Sequence, residues 1–178
     1  MKKGIILYQS KYGATEKYAL WLKEMTGFDC TKTKKASVEM VASYEIVILC
    51  GGIYASGIAG LSFLRKNMGR LSGKKVAVFC VGASPYDEKT FEEIKAHNLK
   101  NDLSGIPVFY GRGAWNEERM SFTDRTLCRM LQKSVAKKDP ATYEPWMTAL
   151  MCAVGQSCDW TEQKYLEPLI EYLGICSP

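Results

Sequence analysis

Two runs of the chain are apolar at consecutive positions, and they limit its fold more than any other feature. Tyr44 to Gly51 reads YEIVILCG, and Lys75 to Gly82 reads KVAVFCVG. A strand with one wet face alternates apolar and polar residues. A strand that is apolar throughout must be covered on both faces, which is the condition of a central strand in a parallel sheet. Lys3 to Gln9, with GIILYQ at its heart, is a third run of this kind.

Helical patterns separate these runs. Ala14, Tyr18, Trp21, Leu22 and Met25 fall on one helix face, and Gly27 supplies the stop. A short strand is expected near Phe28 to Thr33, followed by a helical stretch in which the Ser37 hydroxyl caps the amide of Met40. Further helices are expected over about 59–70 and 88–99, a fifth strand over Ile106 to Tyr110, and a last, covering helix over about 161–173. Strands alternating with helices define an α/β fold with a doubly wound parallel sheet. At 178 residues one domain is expected.

Several classes fall away. No apolar run is long enough to cross a bilayer, and Met1 to Tyr8 lacks the pattern of a signal peptide, so a cytoplasmic setting is expected. The seven cysteines (30, 50, 80, 128, 152, 158 and 176) form no C-x-x-C pair, and their odd number fits a reduced compartment. Cys50 and Cys80 end strand-like runs and read as core residues. The single histidine, His97, lies in a polar helix and suits neither a metal nor catalysis, so no metal is expected. A net charge of +5 is mild, and without a nucleic-acid motif it argues against a nucleic-acid partner.

In such a sheet a ligand sits beyond the carboxyl ends of the strands. The first loop there is Ser10-Lys11-Tyr12-Gly13-Ala14-Thr15. It runs straight into a helix start, whose free amides and partial positive charge suit a phosphate. Ser10 and Thr15 add hydroxyls, and Gly13 permits close approach. Its S-x-x-G-x-T spacing matches neither the P-loop nor the dinucleotide fingerprint. The second loop, Gly51-Gly52-Ile53-Tyr54-Ala55-Ser56-Gly57, and the third, Gly82-Ala83-Ser84-Pro85-Tyr86-Asp87, each combine small residues with one aromatic. Each alone is also compatible with an ordinary turn; their shared position at one sheet edge is what points to a flat ligand.

The first loop resembles the phosphate-binding signature of the flavodoxin superfamily, T/S-x-T-G-x-T, at Ser10, Gly13 and Thr15, with Tyr12 standing where a threonine is usual. The resemblance implies a flavodoxin-like, five-stranded parallel sheet of order 2-1-3-4-5 and noncovalent FMN. The implied contacts are Ser10, Lys11, Tyr12, Gly13, Ala14 and Thr15 around the phosphate, with Gly52, Ile53, Tyr54, Ala55, Gly82, Ala83, Ser84 and Tyr86 around the ring. The later segment Ser121-Phe122-Thr123-Asp124-Arg125 resembles the branch that includes bacterial menaquinone-dependent protoporphyrinogen oxidases, where such a segment opens the helix after strand five and an insert precedes the last helix. Here that insert is expected over about 137–159.

The branch resemblance implies an FMN oxidoreductase with a quinone-like or porphyrin-like substrate. A non-enzymatic electron carrier with a redox partner stays open beside it, although carriers of this kind are usually acidic. Arg125, Arg129, Lys133 and Lys137 recur every four residues, and residues 112–138 hold seven basic against three acidic residues, which suits either an acidic substrate or peripheral membrane contact through 125–154. Packing of this segment on its own domain or in a homodimer is the other expectation. No catalytic side chain stands out, and flavin chemistry does not demand one.

Overall fold

The computed structural model describes residues 3–175; Met1, Lys2 and Cys176 lie outside them. Five parallel strands form the centre: β1 (Gly4–Gln9), β2 (Asp29–Lys32), β3 (Ile46–Tyr54), β5 (Lys75–Gly82) and β6 (Val108–Arg112). Their spatial order is β2-β1-β3-β5-β6, the order 2-1-3-4-5 expected for parallel strands counted along the chain. A short β4 (Gly57–Ile58) adds antiparallel to β3, and β7 (Ala114–Asn116) pairs antiparallel with β8 (Ser157–Asp159) in a separate ribbon.

The central strands are apolar throughout because both faces are covered. On one face α1 (Ala14–Thr26) and α7 (Glu167–Leu173) bury Tyr18, Leu22, Leu169 and Leu173 against Ile6, Ile48 and Phe79. On the other, α2 (Val38–Ala42), α3 (Leu61–Asn67) and α4 (Glu88–Asn98) bring Val41, Leu64 and Phe91 onto Leu7, Leu49 and Val78. Each aliphatic side chain so enclosed contributes roughly 1.5–3 kcal/mol of transfer free energy, which makes the central strands the firmest part of the scaffold.

Local chemistry sets the ends of the elements. Gly27 is left-handed and closes α1, and the Ser37 hydroxyl accepts the Met40 amide at 3.2 Å. The helix expected over 59–70 is shorter, with α3 ending at Asn67 and a 3-10 turn over Met68–Leu71. The last helix likewise begins as a 3-10 turn, and α7 proper starts at Glu167.

The segment outside the sheet is longer than 137–159. After β6 the chain leaves at Ala114, forms β7, α5 (Phe122–Val135) and α6 (Pro145–Cys152), and returns through β8. This segment has its own small core of Trp115, Val135, Met147, Leu150 and Ala153. Helix α5, which follows the fifth strand of the sheet along the chain, packs in this second cluster, and α7 covers the sheet as expected of the last helix. No helix among the described residues is long and apolar enough to cross a membrane.

Candidate functional site

All three loops lie at the carboxyl edge of the sheet, as parallel pairing requires. In the first, Ser10 Oγ accepts the Gly13 amide at 3.0 Å and curls the chain so that Gly13, at φ 99°, delivers it into α1. No side chain caps α1, so the amides of its first turn keep their capacity for an anion. Thr15, in that turn, is 2% exposed.

The second loop is a hairpin. Strand β3 runs through Gly51 and Gly52 to Tyr54, turns at Ala55 (φ 47°) and Ser56 (φ 65°), and returns as β4. Two successive non-glycine residues in the left-handed region need outside support. Buried Asn98, at the end of α4, provides it: its Oδ1 accepts the Ile58 amide at 2.9 Å, and its Nδ2 donates to the Ser56 carbonyl at 2.6 Å. Asn98 escapes sequence reasoning because nothing local marks an asparagine forty residues away as the anchor of a turn.

The third loop ends where Asp87 caps α4 through the Thr90 amide at 2.8 Å. Tyr86 is exposed and leans on Phe91 and Tyr110, with ring centres 5.4 and 5.9 Å away. Tyr110 donates to the Ser84 carbonyl, and burial pushes its phenol well above the ordinary range.

A cavity of about 670 Å³ lies over these loops and continues under the insert, a volume within the range of small-molecule sites. Of the residues suggested by the sequence, Tyr12, Ala14, Thr15, Gly52, Ile53, Tyr54, Ala55, Gly82, Ala83, Ser84 and Tyr86 line it, whereas Ser10, Lys11 and Gly13 do not. The far half is apolar, with Leu127, Leu131, Trp146 and Leu150 among its lining residues, and Trp115 and Trp160 belong to the same wall. The indole N–H of Trp115 is buried without a hydrogen-bond partner among the described residues. The Arg112 guanidinium stacks 4.1 Å over the Trp160 ring and donates to the Ala83 carbonyl at 3.2 Å, joining the third loop to the returning insert.

The residues fit a flat phosphorylated ligand. A Cβ at Gly52 would stand 2.6 Å from Tyr54 Oη, and one at Gly82 would stand 2.8 Å from Tyr110 Oη, so both glycines keep backbone bare where the two aromatics cross it. Tyr54 does not lie open as a free stacking face. Its hydroxyl accepts the Lys11 amide at 3.0 Å, its ring meets that of Tyr12 edge-on at 6.3 Å, and burial raises its phenol pKa.

Lys11 and Tyr12 are engaged by a residue that sequence reasoning gave no role. Lys11 Nζ is 2.8 Å from the carboxylate of Asp124, and the Tyr12 hydroxyl donates to the same oxygen. The hydrogen bonds from Lys11 and Tyr12 hold the Asp124 carboxyl below the usual carboxylate range, and Asp124 in turn raises the Lys11 ammonium. Two members of the basic stripe are engaged within the insert. Arg125 donates to the carbonyls of Glu117, Glu118 and Met120, and Arg129 lies 3.6 Å from the Glu117 carboxylate. Among the described residues no cluster of three or more side chains is placed to hold a metal ion.

A doubly wound parallel sheet with one large cavity over its carboxyl edge defines a small-ligand-binding α/β domain. The profile of the flavodoxin domain family matches residues 5–142, and the chain belongs to that family. Solved structures of similar chain course include the two-electron reduced flavodoxin of Megasphaera elsdenii, 20% identical over 60% of this chain and 82% of that one, with a TM-score of 0.46. Another is a flavoprotein in complex with FMN from Lactobacillus acidophilus, 16% identical over 63% and 93%, with a TM-score of 0.43. A third is a flavoprotein from Bacteroides eggerthii, described as putative, 16% identical over 78% and 100%, with a TM-score of 0.45. Comparison with curated protein sequences found no significant match.

Proposed function

We propose that this protein binds FMN noncovalently over the carboxyl edge of its sheet and works as an oxidoreductase resembling the protoporphyrinogen oxidase branch of the flavodoxin family. One observation carries the reading: a single cavity joins the three loops to an apolar chamber under the insert, giving a cofactor and an apolar substrate adjoining places. The first-turn amides of α1 with the Thr15 hydroxyl would hold the phosphate. Gly52 and Gly82, with Tyr54 and Tyr86, would border the ring system. Bound FMN supplies one- and two-electron transfer, and the protein's contribution is to position it, shield it and set its potential. Trp146, Leu127, Leu131 and Leu150 line the adjoining chamber with apolar surface and favour a flat, apolar substrate of the quinone or porphyrin kind.

Outside the chamber, Phe122 and Met130 on α5 are 84% and 63% exposed and share the helix with Lys133, an arrangement suited to an anionic membrane surface.

The test is the visible spectrum of the purified protein after addition of FMN and removal of the excess. Wild type retains flavin absorbance. Thr15→Ala binds it about tenfold to a hundredfold more weakly, the effect of losing one hydrogen bond to a charged group. A colourless wild-type protein refutes the cofactor assignment. Turnover of a quinone or of protoporphyrinogen by the loaded protein supports the enzyme, while reversible reduction by a reductase without such turnover favours the electron carrier.

A further inference from the structure

The loop preceding α1 and the start of α5 are 109 or more residues apart in the chain, yet they are stitched together. Ser121 Oγ caps α5 by accepting the Asp124 amide at 3.2 Å, which fixes Asp124 in the first turn. A first-turn carboxylate is ordinarily accounted for by the helix dipole alone. This one reaches out of its helix to Lys11 Nζ and Tyr12 Oη, and Tyr12 Oη accepts the Ser121 amide at 3.3 Å. Lys11 and Tyr12 immediately precede Gly13, the residue that turns the chain into the uncapped end of α1. The loop therefore brings a cation and a hydroxyl to the edge of an anion site, and both are committed to a carboxylate of the insert. Tyr12, the departure from the family's usual threonine, has its explanation here: its longer side chain reaches Asp124.

We propose that Asp124 is an internal stand-in for the cofactor's phosphate, competing with it for Lys11, so that loading the loop releases α5 and loosens the insert over the apolar chamber. This rests on the FMN reading above. A phosphate dianion at the start of α1 attracts the Lys11 ammonium and repels the Asp124 carboxylate. Both effects act on the same contact and in the same direction. Asp124 is then a positioning residue: it sets where α5, and with it Leu127 and Leu131 of the chamber wall, stands relative to the loops.

The experiment compares FMN with riboflavin, which lacks the phosphate, in affinity and in hydrogen exchange of the whole protein. Asp124→Asn should raise the preference for FMN over riboflavin about tenfold, equivalent to ~1.4 kcal/mol. Tyr12→Phe removes two hydrogen bonds of the clasp, the one to Asp124 and the one from the Ser121 amide, without changing charge; it should speed exchange over 121–135 while leaving the preference within about twofold. In the wild type, FMN should speed exchange over 121–135 and riboflavin should not. An unchanged or reduced FMN preference in Asp124→Asn, or the same exchange response to both flavins, overturns the proposal. If the wild type takes up neither flavin, the cofactor reading falls, and inorganic phosphate becomes the probe for this one. Faster exchange over 121–135 on adding phosphate supports the clasp, and no change overturns it.

Discussion

Replacing Tyr18 by phenylalanine should remove a tie between α1, β6 and the C-terminal segment while leaving the packing of its ring intact. Tyr18 is fully buried in α1; its ring meets Trp21 at 5.5 Å and Phe79 at 5.0 Å, and both contacts survive the substitution. Only the hydroxyl is lost. It donates to the Arg112 carbonyl at the end of β6 at 2.6 Å and accepts the Glu162 amide at 3.2 Å, where the chain approaches α7. Without it, a carbonyl and an amide face the edge of a phenyl ring. A polar group left without its partner at a buried site costs about 1–3 kcal/mol, so this part-buried pair should cost roughly 3 kcal/mol at most. Against a total stability of about 5–15 kcal/mol that is a large fraction. In a domain of this size it corresponds to a fall in melting temperature of roughly 6–12 °C. Urea unfolding followed by tryptophan fluorescence, with an unchanged slope, measures it directly. A loss below about 0.5 kcal/mol would show that the carbonyl and the amide do not depend on the phenol, and that the proposed tie between α1, β6 and the C-terminal segment is wrong.

The same buried phenols govern the response to alkali. Burial pushes Tyr8 and Tyr18 to about 12, whereas an exposed tyrosine ionises near 10, so the folded state keeps protons that the unfolded state loses. Stability should be steady with respect to these groups below about pH 10 and fall as pH rises toward 12, with a shallower fall in Tyr18→Phe, seen as urea midpoints at pH 9 and 11. Gly52→Ala should cost about 1–2 kcal/mol, because its Cβ drives the Tyr54 hydroxyl off the Lys11 amide. In a Tyr54→Ala background that cost should vanish, and a full cost persisting there in thermal unfolding would place the clash elsewhere.

The centre of the fold is legible because burial on both faces leaves a one-dimensional trace: Lys75–Gly82 is bounded as its apolar run suggests. Where glycine is the guide, the inference slips. Gly51 and Gly52 suggest the end of a strand, yet β3 continues through both. A Cβ at Gly51 would meet the Ala59 carbonyl at 2.3 Å, so this glycine is required by a chain crossing over the strand rather than by a turn. Where α5 packs is illegible for a related reason. An amphipathic helix announces that it covers something apolar but not which core it covers, and its partners here, Trp115 and Met147, belong to the insert. The gathering of the three loops around one cavity is legible. The pairing of Tyr12 with Asp124 and the support of Ser56 by Asn98 are not, since each joins residues whose types carry no local mark of the contact.

The insert leaves the sheet and comes back at one point. Ala114 faces Asp159 across the ribbon of β7 and β8, and the Trp160 amide donates to the Gly113 carbonyl at 3.0 Å. A segment whose two ends are already in contact adds no long closure to the rest of the chain, and it carries its own core. Its length and sequence are thereby released from the demands of the sheet. Residues 114–159 should be replaceable as a cassette: a short turn from Gly113 to Trp160 is expected to leave the parallel sheet and α7 intact, at the cost of the ties from Asp124 and Asp159 to the first loop and α1, and a different cassette on the same two ends would put a new roof over an unchanged floor.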